Sequence, residues 1–268
     1  EYFNTKLELF KNLDSKSLAL INQDSEYLNK ITSSLKCNYE TYGFNKKSDL
    51  SILSYSLNLS YTKIKFKYKN NVYSLKTKLI GKFNIYNILS SILCSIHLGV
   101  SMENIINSIE KFHHIPGRLE QFKLINNNHA IIDFAHSPDS FTNILSTIKE
   151  VSNKKIITIF GCGGDRDRTK RPIMATIAEK FSSHVYITND NPRTENEDVI
   201  IDEIVAGFKN NQFTVMKNRK DAIEYVLDNA KNMIVIILGK GRDDYQIINN
   251  EKMHHSDFES IEKYLYEN

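Results

Sequence analysis

The segment IITIFGCGGDRDRTKRPIMATIAEKF, residues 156–181, decides the fold of the second half of the chain. A short apolar run rich in β-branched residues leads into a loop with three glycines and several charges, and a helical pattern follows. Units of strand, loop and helix build parallel sheets. Backbone N–H groups and the helix dipole favour an anion at such a turn. The loop therefore predicts a site for a phosphate or a zwitterionic ligand.

Several common site motifs are missing from the sequence. A dinucleotide loop needs G-x-G-x-x-G, but Gly161 and Gly163 are followed by Gly164, Asp165 and Arg166, so this fingerprint fails. The chain also has no G-x-x-x-x-G-K-[ST], no G-x-S-x-G and no H-E-x-x-H. These absences exclude a P-loop, a nucleophile elbow and a zincin site within the 268 residues.

The alternation of strand and helix extends over the whole second half. Five strands are predicted, each separated from the next by an amphipathic helical pattern: 130–134, 156–160, 185–188, 213–216 and 233–238. This pattern predicts an α/β fold with a doubly wound, mostly parallel sheet and helices on both faces. Ligands in such folds bind beyond the carboxyl ends of the strands.

The first half has a different texture. Residues 1–13 predict a helix, and YTKIKFKY followed by VYSLKTKLI predicts a hairpin with a turn at Asn70-Asn71 and its lysines in solvent. Two helical patterns follow, the second with Ser101 as its N-cap. Pro116-Gly117 then breaks the helix, and we predict a domain boundary there, giving domains 1–116 and 117–268.

Composition narrows the possible partners. The chain has 41% apolar residues and a net charge of +3 with dispersed lysines, so a nucleic acid partner is not expected. Its apolar runs are shorter than a membrane span, so no membrane insertion is expected. The three cysteines are far apart and lack C-x-x-C spacing, which argues against a disulfide framework or zinc cluster and favours the cytoplasm.

Charged residues are concentrated after four of the predicted strands, each time with glycine, proline or arginine nearby. The four loops are DFAHSPD, FGCGGDRD, TNDNPR and LGKGRDDYQ. Taken alone, Asp133 and His136 are either an N-capped turn or a pair that orients a base. Arg166 is either part of a surface ion cluster or a ligand contact, and Cys162 is predicted to be a small packed residue. Together the loops describe a pocket that can pair both ends of an amino acid.

Six segments, in this order and spacing, resemble the Mur ligase family: GKFNIYN, GRLEQF, DFAHSPDS, FGCGGDRDRTKRP, DNPRTE and GKGRDDYQ. The resemblance covers essentially the whole chain. It implies that residues 1–116 are the C-terminal part of a central ATP-binding domain. It also implies that residues 117–268 are a Rossmann-like C-terminal domain that binds an amino acid. A UDP-sugar domain and a P-loop would lie upstream, so we expect a fragment that is inactive alone.

The resemblance also implies site residues on the nucleotide side. Lys6 in EYFNTK matches a catalytic lysine that, when carbamylated, helps to place Mg²⁺. His136 is the second catalytic candidate. The ATP contacts would be Asn84, Asn87, Arg118 and Asp133.

A second set of matching positions forms the amino-acid pocket of the family. These residues are Arg166, Asp190, Asn191, Pro192, Arg193, Gly239 and Asp243. The DNPR form of the loop is associated with meso-diaminopimelate, whose second carboxylate Arg193 could pair with. The family usually has His and Glu where this chain has Arg242 and Asp243, so we expect Arg242 to add a competing cation at one rim of the pocket and Asp243 to keep the charge on a shorter side chain.

The implied reaction is ATP-dependent addition of meso-diaminopimelate to a UDP-muramoyl dipeptide, the third residue of the peptidoglycan stem peptide. It would proceed through an acyl phosphate, with ATP and Mg²⁺ as cofactors and a cytoplasmic monomer as the working form. A lysine-adding or folylpolyglutamate-type ligase stays open as an alternative. So does a non-catalytic remnant that only binds a nucleotide or an amino acid.

Overall fold

The computed structural model of the chain describes residues 2–268. The chain divides into two compact units, residues 1–113 and 114–268, each with its own sheet. Among the helices of the described residues, none combines the length and the apolar character that a membrane span requires.

The first unit contains a five-stranded sheet whose strands lie in chain order. The first three strands pair in parallel and the last three antiparallel. The strands are β1 (Leu18–Asn22), β2 (Asn38–Gly43), β3 (Leu50–Leu57), β4 (Thr62–Tyr68) and β5 (Asn71–Thr77), and the helices are α1 (Tyr2–Lys11), α2 (Leu28–Thr32), α3 (Lys82–His97) and α4 (Met102–Lys111).

The hairpin of β4 and β5 confirms the period-two prediction. Ile64, Phe66 and Tyr68 are buried while the alternating Lys63, Lys65 and Lys67 are exposed. The buried side chains pack with those of α3 and α4, because one face of the sheet is apolar. The turn was predicted one residue too late: Asn71 already pairs with Tyr68, and the turn residues are Lys69 and Asn70. Ser101 caps α4 as predicted, accepting a hydrogen bond from the N–H of Asn104 at 3.3 Å.

The second unit contains a six-stranded sheet in the order β10-β9-β8-β11-β7-β6. The predicted doubly wound, mostly parallel fold is confirmed, with β6 as an antiparallel edge strand. The strands are β6 (Glu120–Lys123), β7 (His129–Asp133), β8 (Lys155–Phe160), β9 (His184–Ile187), β10 (Phe213–Val215) and β11 (Met233–Leu238), and a separate hairpin joins β12 (Tyr245–Ile248) to β13 (Glu251–His254).

Helices cover this sheet on both sides. The helices are α5 (Pro138–Val151), α6 (Lys170–Phe181), α7 (Glu197–Val205), α8 (Arg219–Asn229) and α9 (Asp257–Glu267). Ile223 of α8 and Ile261 of α9 belong to the same core cluster as alternate side chains of β7, β8 and β11. On the other side, Phe141 of α5 meets Phe160 edge-on at 5.1 Å between ring centroids. The central strands are apolar on both faces, as parallel strands between two helical layers must be.

Candidate functional site

The carboxyl ends of β7, β8, β9 and β11 surround a cleft in the second unit, with a volume of about 360 Å³. This is the edge at which ligands bind in doubly wound sheets. The cleft is lined by Phe134, His136, Gly161, Cys162, Gly163, Arg166, Lys170, Met174, Asp190, Asn191, Arg193, Gly239, Asp243 and Tyr245. All four loops singled out in the sequence contribute to it.

The glycines after β8 allow two of these loops to touch. A Cβ atom on Gly161 would lie 2.1 Å from the carbonyl oxygen of Thr188, and one on Gly164 would lie 1.9 Å from that of Pro192. Neither distance is compatible with a side chain. The N–H of Gly164 donates to the carbonyl of Asn191 at 2.9 Å. The glycines are therefore required for contact between the loop after β8 and the loop after β9.

A buried arginine fastens the same two loops from below. The side chain of Arg171 is fully buried and donates to both carboxylate oxygens of Glu195 at 3.0 Å and to the carbonyl of Gly163 at 3.0 Å. It also donates to Glu203 at 2.6 Å. A buried charge is costly unless it is well paired, so loss of these partners would be unfavourable. Because the partners lie in both loops, Arg171 holds the two loops in one geometry. Of the cations in GCGGDRDRTKRP, Arg171 is thus occupied inside the protein.

Three cationic side chains reach the cleft itself. Arg193 has a left-handed backbone, with φ of 53°, and its Nη1 donates to the carbonyl of Gly164 at 2.7 Å. Arg166 is exposed and donates to the carbonyl of Asp165, and Lys170 donates to the carbonyl of His136 at 2.8 Å. These contacts satisfy only part of each guanidinium or ammonium, so donors remain for an anionic ligand.

Two carboxylates line the same cleft as these cations. Asp190 is buried, and its side-chain oxygens have no hydrogen-bond donor among residues 2–268. A Cβ atom on Gly239 would lie 2.6 Å from Asp190 Oδ2, so this glycine makes room for the carboxylate. Asp243 is half-buried on the rim formed by the loop after β11. The cleft therefore offers acceptors for an ammonium group as well as donors for carboxylates.

The unusual Arg242 points away from the cleft. Its guanidinium makes two hydrogen bonds to the buried carboxylate of Glu120, at 2.8 and 2.5 Å, and stacks on Phe258 at 3.3 Å from the ring centroid. Burial alone would raise the pKa of Glu120, but the hydrogen bonds from Arg242 and from the N–H of Gly117 hold it below its usual value. Arg242 therefore does not add a competing cation to the cleft.

Asp133 and Arg118 lie behind the cleft. Asp133 is buried and its two oxygens accept the N–H groups of Leu119 and Ala135, both at 2.7 Å. Burial raises the pKa of Asp133, and these two hydrogen bonds oppose the shift. Arg118 is exposed and stacks on Phe134 at 4.9 Å. The structure thus gives Asp133 a role in holding backbone, and its contact with a nucleotide stays a prediction.

His136 lies at the mouth of the cleft. Its Nδ1 lies 2.8 Å from the carbonyl of Phe134, so Nδ1 carries the proton and donates. Its ring also meets that of Phe134 edge-on, at 5.1 Å. Nε2 of this exposed histidine has no hydrogen-bond partner among the described residues.

Cys162 is buried beside the cleft. Burial, with a further contribution from Asp190, raises the pKa of this thiol to about 12. The thiolate needed for nucleophilic chemistry is therefore not populated near neutral pH. The prediction of a packed cysteine is confirmed.

The remaining candidates lie in the first unit. Lys6 is exposed on α1, with Nζ 5.5 Å from the ring centroid of Tyr2. Asn84 is buried in the first turn of α3 and donates to the carbonyl of Ile80 at 2.8 Å, and Asn87 donates to Asn84 Oδ1 at 3.1 Å. The two asparagines form one polar patch on this helix. Their roles, and that of Lys6, stay predictions.

Three residues near the cleft did not stand out in the sequence. Lys170 and Tyr245 line it, and Lys240 is buried beneath it with Nζ 3.2 Å from Asn191 Oδ1. Of the three, only Lys240 could have been found from the sequence, because it lies between two glycines in GKGR and such a segment can turn a side chain inward. Pro192, by contrast, was predicted to bind substrate but is buried and does not line the cleft.

The fold and the cleft define an α/β protein that can bind a small zwitterionic ligand at the strand ends of its second unit. The sequence-family model of the Mur ligase middle domain matches residues 1–95. The family model of the Mur ligase glutamate ligase domain matches residues 117–241. The chain belongs to the Mur ligase family.

Relatives with known names agree with this assignment. The chain is 36% identical to a UDP-N-acetylmuramoyl-L-alanyl-D-glutamate--2,6-diaminopimelate ligase of Clostridium botulinum, over 99% of this chain and 55% of the relative. It is 39% identical to the ligase of the same name from Fusobacterium nucleatum, over 96% of this chain and 53% of the relative. The chain thus spans about half the length of the curated relatives it matches.

Solved structures show the same architecture. A structure of a UDP-N-acetylmuramoyl-L-alanyl-D-glutamate--2,6-diaminopimelate ligase superposes with a TM-score of 0.68 at 27% identity, over 99% of this chain and 56% of that one. A MurF ligase of Thermotoga maritima in complex with ADP superposes with a TM-score of 0.70 at 15% identity, over 99% and 57% of the two chains. The second similarity shows the fold alone.

Proposed function

We propose that the protein is part of an ATP-dependent ligase that adds meso-diaminopimelate to UDP-N-acetylmuramoyl-L-alanyl-D-glutamate in peptidoglycan biosynthesis. The observation that carries this proposal is the charge content of the cleft, which is lined by the cations Arg166 and Arg193 and by the carboxylates of Asp190 and Asp243. Diaminopimelate has a carboxylate and an ammonium at each end, and such a cleft can pair with both. The names of the relatives support the same substrate.

The two ends of the amino acid call for different contacts. Arg193 can grip the distal carboxylate with the guanidinium donors that its bond to Gly164 leaves free. Asp243 can accept the distal ammonium, with a side chain one methylene shorter than that of the glutamate usual in the family. L-Lysine has no distal carboxylate, so it would leave Arg193 unpaired inside the cleft, which costs affinity.

The chemistry of the complete ligase would be amide formation through an acyl phosphate. The D-glutamyl carboxylate attacks the γ-phosphorus of ATP and ADP leaves. The amine of the bound amino acid then attacks the acyl carbon, and phosphate leaves as the amide forms. This chain would contribute positioning of the amine and of the nucleotide, which is a large part of catalysis in such reactions. Asn84, Asn87, Arg118, Asp133 and His136 are the proposed nucleotide-side residues.

Magnesium is implied by the family, and Lys6 is the proposed ligand after carbamylation. Across the described residues, no group of three or more His, Cys, Asp or Glu side chains lies together as a metal site. Residues 2–268 therefore do not provide a complete set of ligands for the ion by themselves.

The test is phosphate release by the full-length protein with ATP, Mg²⁺ and the UDP-muramoyl dipeptide, comparing meso-diaminopimelate with L-lysine. We expect release with diaminopimelate. Arg193→Leu should raise KM for diaminopimelate roughly 30-fold or more, because a charge-assisted hydrogen bond contributes about 2–3 kcal/mol. Arg168→Met is the matched control, since Arg168 is an exposed arginine of the same rim that pairs with Glu203 instead of lining the cleft.

The outcomes separate the alternatives. Release with lysine, unaffected by Arg193→Leu, would assign a lysine-adding ligase. No release with either amino acid, from a folded full-length protein that contains a P-loop, would favour the non-catalytic remnant.

A further inference from the structure

Lys240 is buried in a place where a lysine is costly. Lys240 is only 1% exposed. Moving an ammonium group out of water is unfavourable unless the group is paired. Gly239 and Gly241 on either side have left-handed backbones, with φ of 114° and 55°. These conformations suit glycine and turn the residue between them inward. The backbone of the GKG segment therefore directs the side chain of Lys240 into the interior beneath the cleft.

The ammonium of Lys240 makes one hydrogen bond, to Oδ1 of Asn191 at 3.2 Å. The same oxygen accepts the backbone N–H of Ile247 at 2.9 Å. Both partners are donors only, so the atom they share must be the amide oxygen. The polarity of the Asn191 side chain is thus fixed by the surrounding protein.

The other half of the Asn191 amide is left for a ligand. Its N–H₂ group has no acceptor among residues 2–268, although Asn191 as a whole is buried and lines the cleft. Nδ2 of Asn191 is not among the fully buried side-chain atoms that lack a partner in the described residues, so it stays accessible, and a ligand oxygen in the cleft can accept a hydrogen bond from it. Asn191 also lies between Asp190 and Arg193, the residues that present the opposite charges of this rim.

We propose that Lys240 is a positioning residue, which holds Oδ1 of Asn191 so that the amide N–H₂ faces the cleft and donates to a carboxylate of the amino-acid substrate. This inference rests on the proposed ligase function. Lys240 itself does not line the cleft. Burial lowers the pKa of Lys240 while the carboxylate of Asp190 opposes the shift, so the lysine also interacts electrostatically with the rim.

The test uses the full-length protein and measures KM for meso-diaminopimelate and for ATP separately. Lys240→Met keeps the size of the side chain but removes the donor, and we expect KM for the amino acid to rise about tenfold, as for one lost hydrogen bond. KM for ATP should stay within about twofold. The matched control is Lys252→Met, because Lys252 is exposed and, like Lys240, lies near the ring of Tyr245, at 4.4 and 5.4 Å.

A double-mutant cycle separates positioning from simple stabilisation. If Lys240 acts through Asn191, Lys240→Met should change KM less than about twofold in an Asn191→Ala background. A loss of the same factor in both backgrounds would overturn the proposal, because it would show that Lys240 acts independently of Asn191. Melting temperatures of all variants show whether each is folded.

Asn191→Asp keeps the proposal testable if Lys240→Met does not fold. The carboxylate preserves both bonds to Lys240 and Ile247 but has no N–H₂ group, so we expect a folded protein with KM for the amino acid raised about tenfold. A wild-type KM in Asn191→Asp would refute the donor role. A wild-type protein that uses neither amino acid would instead refute the proposed function and, with it, the substrate assigned to Asn191.

Discussion

A single buried ion pair allows a sharp prediction about stability. Arg219 and Asp257 have fully buried side chains and are joined by hydrogen bonds of 2.8 and 2.7 Å. Arg219 also donates to the carbonyl of Leu238, the last residue of β11 before the cleft, at 3.0 Å. Asp257→Asn keeps the shape of the pair but removes its negative charge. The guanidinium, whose Nη1 already has no partner among the described residues, would then be buried without its hydrogen-bonded counter-charge.

Breaking one side of such a pair costs about 3–5 kcal/mol. This is a large part of the 5–15 kcal/mol that stabilises a typical domain. Because the chain has no tryptophan, urea unfolding should be followed by circular dichroism, with hydrogen exchange of the β11 amides to localise the loss. Lys263→Met is the control, because its pair with Glu224 at 3.0 Å is solvent-exposed and should contribute less than about 1 kcal/mol.

The pH dependence of this contribution has a defined sign. Burial alone would raise the pKa of Asp257, but Arg219 holds it well below the ordinary value of 3.8. A depressed pKa contributes stability above the unfolded-state pKa and loses it only as the pH falls toward the folded-state pKa. The free energy of unfolding of the wild type should therefore still exceed that of Asp257→Asn at pH 5. A loss below about 1 kcal/mol at pH 7 would refute the reasoning.

Three further predictions concern the surroundings of the cleft. Glu120→Gln should cost about 1–2 kcal/mol in urea unfolding at pH 7. The pKa of Glu120 is lowered, so its contribution should be full above the ordinary value of 4.5 and fade below it. In folded protein at pH 8, maleimide should label the exposed Cys94 but not Cys162, because burial raises the pKa of the latter to about 12. Gly164→Ala should cost roughly 3 kcal/mol through its clash, against about 1 kcal/mol for Gly99→Ala, which has free space and only a left-handed backbone.

Each of these has an outcome that contradicts it. Glu120→Gln with an unchanged urea midpoint would show that the ion pair contributes nothing. Labelling of Cys162 at the rate of Cys94 in folded protein would show an accessible, ionisable thiol. Equal losses for the two glycine variants would mean that the loops can separate without cost.

The parts of the fold that follow from local pattern could be predicted from the sequence. The parallel strands and their helices have strong periodicity, and the carboxyl-end rule then placed four loops at one edge. Strand β6 was not assigned, because EQFK is short and polar and becomes a strand only by pairing with β7. The hairpin of β12 and β13 and helix α9 were likewise missed, since the charged segment before them gives no clear alternation.

The candidate site shows the same division. The sequence identified the loops that carry charge, but the direction of each side chain depends on acceptors that lie far away along the chain. Arg242 was expected to add a cation to the cleft, and it is turned away because Glu120 is buried beneath it. Lys240 was not singled out, and it is held inside because Oδ1 of Asn191 accepts a hydrogen bond from its ammonium. Tertiary partners of this kind cannot be inferred from one loop alone.

The contact between the loops after β8 and β9 determines how large a segment must be replaced when loops from a related protein are grafted into this one. Gly164 fits only against the carbonyl of Pro192, and Arg171 bonds to residues of both loops. Replacing the DNPR loop alone with the corresponding loop of another Mur ligase family member would set a foreign backbone against an unchanged partner. Any redesign of what this cleft binds therefore requires that both loops, together with Arg171, be transplanted as one module.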